Sequence, residues 1–222
     1  MGEPLVLVIT GLRAEAQLLA GTACHCITRY GGGAVLGSDT EGAAPSRFRA
    51  VISFGLCGGI APGLKAGDLV LADSVATPDG LLQPAPEAHR FLASLLPDAR
   101  SGVIVAAESP MATVAAKRQV HAATGAIAVD MESAGAARLA IDWGVPFAAI
   151  RAVCDGPDDP LPPAAIGALA PDGTLRLGAV IADLLRQPSQ LGGLISTGLR
   201  TRAAIATLRR TRPALEQYFA SP

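Results

Sequence analysis

Aromatic residues are scarce. Five Phe, two Tyr and one Trp amount to 4% of the 222 residues, so the core must be built from Val, Leu, Ile and Ala. Long apolar runs are also missing: no stretch reaches about 18 uninterrupted apolar residues, and no helix is expected to span a membrane. Cysteine is limited to Cys24, Cys26, Cys57 and Cys154, without metal-ligand spacing or a disulfide framework, so no metal is expected. Cys24 and Cys26 would share one side of a strand, as two buried thiols. The opening Met-Gly-Glu-Pro lacks the basic region of a signal peptide, which makes a reducing cytoplasm the expected compartment. With a net charge of −1, the chain has no excess of positive charge to suit it to nucleic acid.

Half of the residues are hydrophobic, and a chain of this length can bury a core without covalent staples. The 25 glycines and 17 prolines punctuate apolar runs instead of forming low-complexity blocks, as in a packed sheet with many short loops. Charge is unevenly spread. Residues 176–222 hold Arg176, Arg186, Arg200, Arg202, Arg209, Arg210 and Arg212 against Asp183 and Glu216, a basic tail on an acidic body.

Pro4–Thr10 is a short β-branched run that predicts a buried strand, followed by a helix over Ala14–Ala20. Further strands are predicted at Ala23–Tyr30, Ala50–Phe54, Asp68–Thr77, Gly102–Ala107, Ala126–Val129 and Pro146–Cys154. Helices are predicted at Glu87–Leu96, Thr113–Ala123 and Glu132–Trp143. This alternation predicts a layered α/β/α domain over residues 1–160. Prolines 160, 162 and 163 then open a different segment, with a turn at Pro171-Asp172-Gly173 and helices over Leu175–Leu185 and Leu191–Leu208. Residues 161–222 therefore read as a helical C-terminal extension packed on the body.

Three segments at the C-terminal ends of apolar strands can carry chemistry, since open α/β sheets bind ligands there. Gly55-Leu56-Cys57-Gly58-Gly59 is expected as a loop whose glycines admit a ligand to the backbone, or simply as a tight turn; it lacks the order of a dinucleotide fingerprint. Val129-Asp130-Met131-Glu132-Ser133 sets two carboxylates at a strand-to-helix junction, where they bind a ligand or serve the helix start. Arg151 and Asp155 place a cation inside an apolar strand and an acid at its end, which are either a site or a structural pair.

The order GLCGGI, KAGDLV, AVDMESA, RAVCD resembles the purine nucleoside phosphorylase and methylthioadenosine/adenosylhomocysteine nucleosidase superfamily over roughly residues 5–155. The resemblance implies a three-layer phosphorylase/hydrolase-like fold with a central mixed sheet, and cleavage of a purine–ribose bond. It implies Asp155 as the acid that protonates purine N7, and Glu15 as the residue that positions an attacking water. Glu132 and Met131 are implied as ribose contacts, with Asp130 beside them. Cys57 and Gly58 fall in the loop implied to line the base and the water or phosphate site, and Met111 is a weaker candidate for a wall of the base pocket. The chemistry is coherent: a general acid contributes about 10²–10⁴-fold by improving the leaving group. Hydroxyl contacts to Glu132 would strengthen as positive charge develops on the sugar.

Two positions depart from the family pattern. Leu56 stands where Ser or Thr is usual in the loop, and Cys154 stands where Ser commonly precedes the acid. Arg13 is the one basic residue near the matching loop, and Arg151 reads as a buried structural partner. Hydrolysis therefore asks least of the residues present, with phosphate retained as an alternative co-substrate and no other cofactor expected.

The segments Leu161-Pro162-Pro163-Ala164-Ala165 and Leu169-Ala170-Pro171-Asp172-Gly173-Thr174, the glycine-rich stretch near 31–45 and the basic tail resemble hopanoid-associated phosphorylase-like proteins. That resemblance implies release of adenine from adenosylhopane, a lipid-linked nucleoside, and a homo-oligomer. Methylthioadenosine or adenosylhomocysteine is the alternative small-molecule substrate, and a nucleoside-binding protein without turnover is the reading from another class. Leu191, Leu194, Ile195, Leu199, Ile205 and Leu208 can form an apolar stripe beside the tail arginines. Such a helix either lies on the inner membrane face or packs on the body.

Overall fold

A computed structural model of the protein describes residues 5–28, 47–166 and 176–221. The expectations for the stretch 31–45 and the turn Pro171-Asp172-Gly173 lie outside these residues.

Eight strands form one mixed sheet: β1 (Leu5–Thr10), β2 (Cys24–Thr28), β3 (Phe48–Gly59), β4 (Leu69–Thr77), β5 (Gly80–Leu82), β6 (Arg100–Ala106), β7 (Ala128–Asp130) and β8 (Phe147–Asp155). β3 pairs with β1 and β8 in parallel, and β8 runs antiparallel to β4. β6 joins β4 and β7 in parallel, and β7 returns to β3 by an antiparallel pairing of Gly58 and Gly59 with Val129 and Ala128. The strands β3, β8, β4, β6 and β7 thus close a ring, with β1 and β2 extending it on one side and the short β5 on the other.

Two apolar clusters lie on the two faces of the sheet. Helix α4 (Ser133–Trp143) supplies small residues, among them Ala136, Ala137 and Ala140, to the first, which lets it lie close to the strands. The second is covered by α1 (Arg13–Leu18), α2 (Pro86–Leu95) and the distal half of α7 (Leu191–Ala220). Helix α3 (Val114–Thr124) is capped by the Thr113 hydroxyl, which accepts from the Ala116 N–H at 3.2 Å, and ends on the left-handed Gly125. Two short segments, α5 (Pro163–Ile166) and α6 (Leu177–Arg186), precede α7.

Three expectations change. Gly55–Gly59 is strand, not loop: its backbone is paired along β8 and at its end along β7, so the glycines make room for neighbouring side chains instead of turning the chain. The last helix runs twelve residues past Leu208 and through Pro213, because Leu215, Tyr218 and Phe219 are anchored in the core and offset the missing backbone hydrogen bond. Cys24 and Cys26 do share a side, with sulfurs 3.5 Å apart, but they are only half-buried because β2 is the outermost strand.

The predicted apolar stripe is divided. Leu208 is buried and Ile205 half-buried on the body, whereas Leu191, Ile195 and Leu199 are more than half exposed. Tail arginines also tie the helix down: Arg200 pairs with Asp159 at 2.7 Å, and Arg212 donates to the Leu18 carbonyl at 3.1 Å. Among the described residues no helix is long and apolar enough to cross a membrane.

Candidate active site

Arg151, at the middle of β8, organises the first half of the site. It lies opposite Gly55 and is fully buried. Its Nε meets Asp130 Oδ2 at 2.6 Å and its Nη1 meets Glu132 Oε2 at 3.3 Å; Nη2 donates to the Ser53 hydroxyl. Burial by itself would lower the proton affinity of this guanidinium, but Asp130, Glu132 and Glu15 outweigh it and hold the group above its ordinary value.

Glu15 reaches the same place from α1. Its Oε2 accepts from the N–H groups of Gly11 and Leu12 at 2.9 and 2.8 Å, and its Oε1 from the Leu56 N–H at 2.9 Å. Burial raises its pKa above the ordinary carboxylate value, with Arg151 and the three N–H donors opposing. A glycine is required at position 55: a Cβ there would sit 2.7 Å from both Arg151 Nη1 and Glu15 Oε2. Gly11 makes the corresponding space for Glu132, whose Oε1 would be 2.8 Å from an added Cβ.

Glu132 precedes α4 at its N-cap position instead of forming its first turn. Asp130 ends β7, and both its oxygens are engaged: Oδ1 accepts from the Ser133 N–H at 3.3 Å, and Oδ2 takes the Ser133 hydroxyl as well as Arg151. Asp130 is thus committed to the frame, and Glu132 meets the same guanidinium from the start of α4.

Asp155 forms the second half. The register shifts between Cys57 and Gly58, which brings Asp155 opposite Gly58, three residues along β3 from the Arg151 level. That spacing corresponds to about 10 Å of strand. Cys154 donates its thiol to Asp155 Oδ1 at 3.0 Å. The buried Asp155 also holds the ammonium of Lys117, a residue that sequence reasoning passed over. Lys117 further donates to the carbonyls of Gly156 and Asp159 at 2.7 and 2.8 Å.

Of the remaining predicted residues, Cys57 is buried on β3, where burial pushes its thiol well above the ordinary value. Gly58 lies against Asp155: a Cβ there would come within 3.2 Å of its Oδ2. Met111 is half-buried beside Ile60 and Val129, and Met131 is half-buried between Asp130 and Glu132. A cavity of about 250 Å³, lined by Ile60, Pro62, Arg118, His121, Pro157 and Asp158, adjoins the turn that follows Asp155. A somewhat larger one, near Leu95, Asp98 and Thr207, is lined by none of the candidate residues. No group of three potential metal ligands occurs among the described residues.

This mixed sheet, with Asp130 ending β7 and Asp155 ending β8, is a fold shared with solved structures of other proteins. Futalosine hydrolase of Helicobacter pylori superposes with a TM-score of 0.69 over 97% of this chain and 98% of that one, at 13% identity. The 5′-methylthioadenosine/S-adenosylhomocysteine nucleosidase of the same organism gives 0.69 over 98% and 100%, at 14% identity. A putative nucleosidase of that kind from Borrelia burgdorferi, bound to adenine, gives 0.65 over 96% and 100%, at 14% identity. The chain belongs to the phosphorylase superfamily, whose family model matches residues 18–186.

Proposed function

We propose that the protein hydrolyses the N-glycosidic bond of a 5′-substituted adenosine. The observation that carries this reading is the placement of two buried acidic groups along β3: Glu15 and Glu132 around Arg151, and Asp155 about 10 Å farther on, a spacing that suits the sugar and base ends of one nucleoside. Glu132 takes the ribose hydroxyls. Asp155 gives a proton to N7 of the departing base. Glu15, a stronger base for being buried, positions and deprotonates the water. Met131, Cys57, Gly58 and Met111 complete the walls.

Electrostatics favour water over phosphate as the nucleophile. Around the sugar end, among the described residues, Glu15, Asp130 and Glu132 surround Arg151, which is already committed to two of them. A phosphate dianion would be repelled there, whereas neutral water is not.

Within this class the substrate we propose is adenosylhopane, giving adenine and ribosylhopane. The support is the resemblance of residues 161–174 and the tail, together with the exposed Leu191, Ile195 and Leu199, which offer apolar contact to a lipid-linked molecule or the membrane that holds it. The test is to incubate the protein with adenosylhopane, methylthioadenosine and adenosine, with and without phosphate, and to measure free adenine. Adenine from adenosylhopane without phosphate is expected. Release only with phosphate overturns hydrolysis, and no release from any substrate overturns the enzyme reading.

A further inference from the structure

Lys117 is a buried cation for which the proposed reaction has so far no task. Its side chain is fully enclosed, and its three donors are spent on three acceptors: Asp155 Oδ2 and the carbonyls of Gly156 and Asp159. All three acceptors belong to one short stretch, from the last residue of β8 to Asp159, so the ammonium fastens the acid to the turn that follows it. The same turn is braced from within, where Asp159 Oδ2 accepts from the Gly156 N–H at 2.9 Å.

The choice of residue is informative. The chain has two lysines, Lys65 and Lys117, among 18 basic residues, so a lysine stands at 117 against a strong preference for arginine. Arg118, next to it, is exposed and pairs with Asp158. Three acceptors converging on one point suit a compact ammonium, whereas a planar guanidinium fork would overreach them. Stability is a poor reason for such a pair, because replacing a buried ion pair with apolar residues is often neutral or stabilising.

We infer that Lys117 is a positioning residue for the leaving group's proton, an inference that rests on the bond cleavage proposed above. It holds Asp155 Oδ2 with an ammonium, whereas Oδ1 accepts only the weak thiol donor of Cys154 and is the oxygen that meets the purine. In the step, the C1′–N9 bond breaks and its electron pair moves into the purine ring. N7 takes the proton from Asp155 Oδ1, and the carboxylate left behind is held by the ammonium, which keeps its own protons. Water adds to C1′ and gives its proton to Glu15, and solvent exchange returns the proton balance to Asp155.

A double-mutant cycle tests this, run on the adenine nucleoside that the unmodified protein cleaves fastest. Lys117→Met and Asp155→Asn are each expected to lower kcat for adenine release by about a hundredfold, within the usual range for a general acid. KM should change little. The double variant should be no slower than Asp155→Asn, since Lys117 acts only through Asp155. On p-nitrophenyl riboside, whose leaving group needs no proton, Lys117→Met should lose about threefold at most.

Additive losses in the cycle, or equal losses on both kinds of leaving group, overturn the inference. If Lys117→Met fails to fold because it strands a buried carboxylate, the double variant leaves no such charge, and its comparison with Asp155→Asn still decides. Absence of adenine release by the unmodified protein is a separate result that defeats the underlying reading and this one with it.

Discussion

Replacing Arg151 with Met removes a cation that acts on three acidic side chains, Asp130, Glu132 and Glu15. Arg151 and Asp130 are both wholly enclosed, with 2.6 Å between Nε and Oδ2, and Glu132 is nearly so. Breaking a buried pair from one side costs about 3–5 kcal/mol, because the remaining charge has neither water nor partner. Loss of the attraction to Glu15, and of the donors to Ser53 and the Leu56 carbonyl, places this variant at the upper end, about 5 kcal/mol. With a urea dependence of about 2–3 kcal/mol per molar for a chain of this size, the unfolding midpoint at pH 7 should fall by about 2 M. The loss should shrink as pH drops, because burial raises the pKa of Glu15 and its protonation removes a stranded charge. Urea melts of both proteins across pH, followed by circular dichroism, measure this directly. A midpoint shift below about 0.5 M at pH 7, or a loss independent of pH, would refute the claim that Arg151 neutralises this cluster.

Three other outcomes are expected. Asp155→Ala should lower adenine release at least about tenfold, and an unchanged rate would show the acid to be misassigned. Gly55→Ala should destabilise by about 1–3 kcal/mol and depress turnover, since the methyl group would press on two side chains that are themselves locked by hydrogen bonds; a thermal melt that matches the unmodified protein would contradict this. Turnover of p-nitrophenyl riboside should fall as pH is lowered through a value above the ordinary carboxylate range, because Glu15 must be ionised to accept the water's proton and burial raises its pKa. A profile flat down to pH 4 would exclude Glu15 as the base.

Strands β1 and β8 were readable because a buried strand is predominantly apolar, and both are, with Arg151 the exception within β8. The glycine-rich half of β3 was not, since glycine there signals crowding by side chains from other strands, which local pattern cannot separate from a turn. Asp130 and Glu132 could be picked out as acids in apolar surroundings, Glu15 came only through the family resemblance, and the fold gathers all three around Arg151. What local sequence could not supply is how the three divide that cation, with Asp130 absorbed into the frame. Lys117 was illegible for a different reason. In Ala-Ala-Lys-Arg-Gln it looks like any solvated helix face, and its rarity beside so many arginines was the one available clue.

The closed ring of β3, β8, β4, β6 and β7 also separates what can change in descent from what cannot. Asp130 and Asp155 stand on strands whose neighbours on both sides belong to the ring, so shifting one would disturb the pairing of the others. Amides of β3 and β8 should consequently be the last to exchange with deuterium. The segments after β6 and β8 and the front half of α7 carry no such obligation. Under the proposed reaction, insertions and substitutions there can alter what is bound without disturbing the strands that carry Asp130 and Asp155.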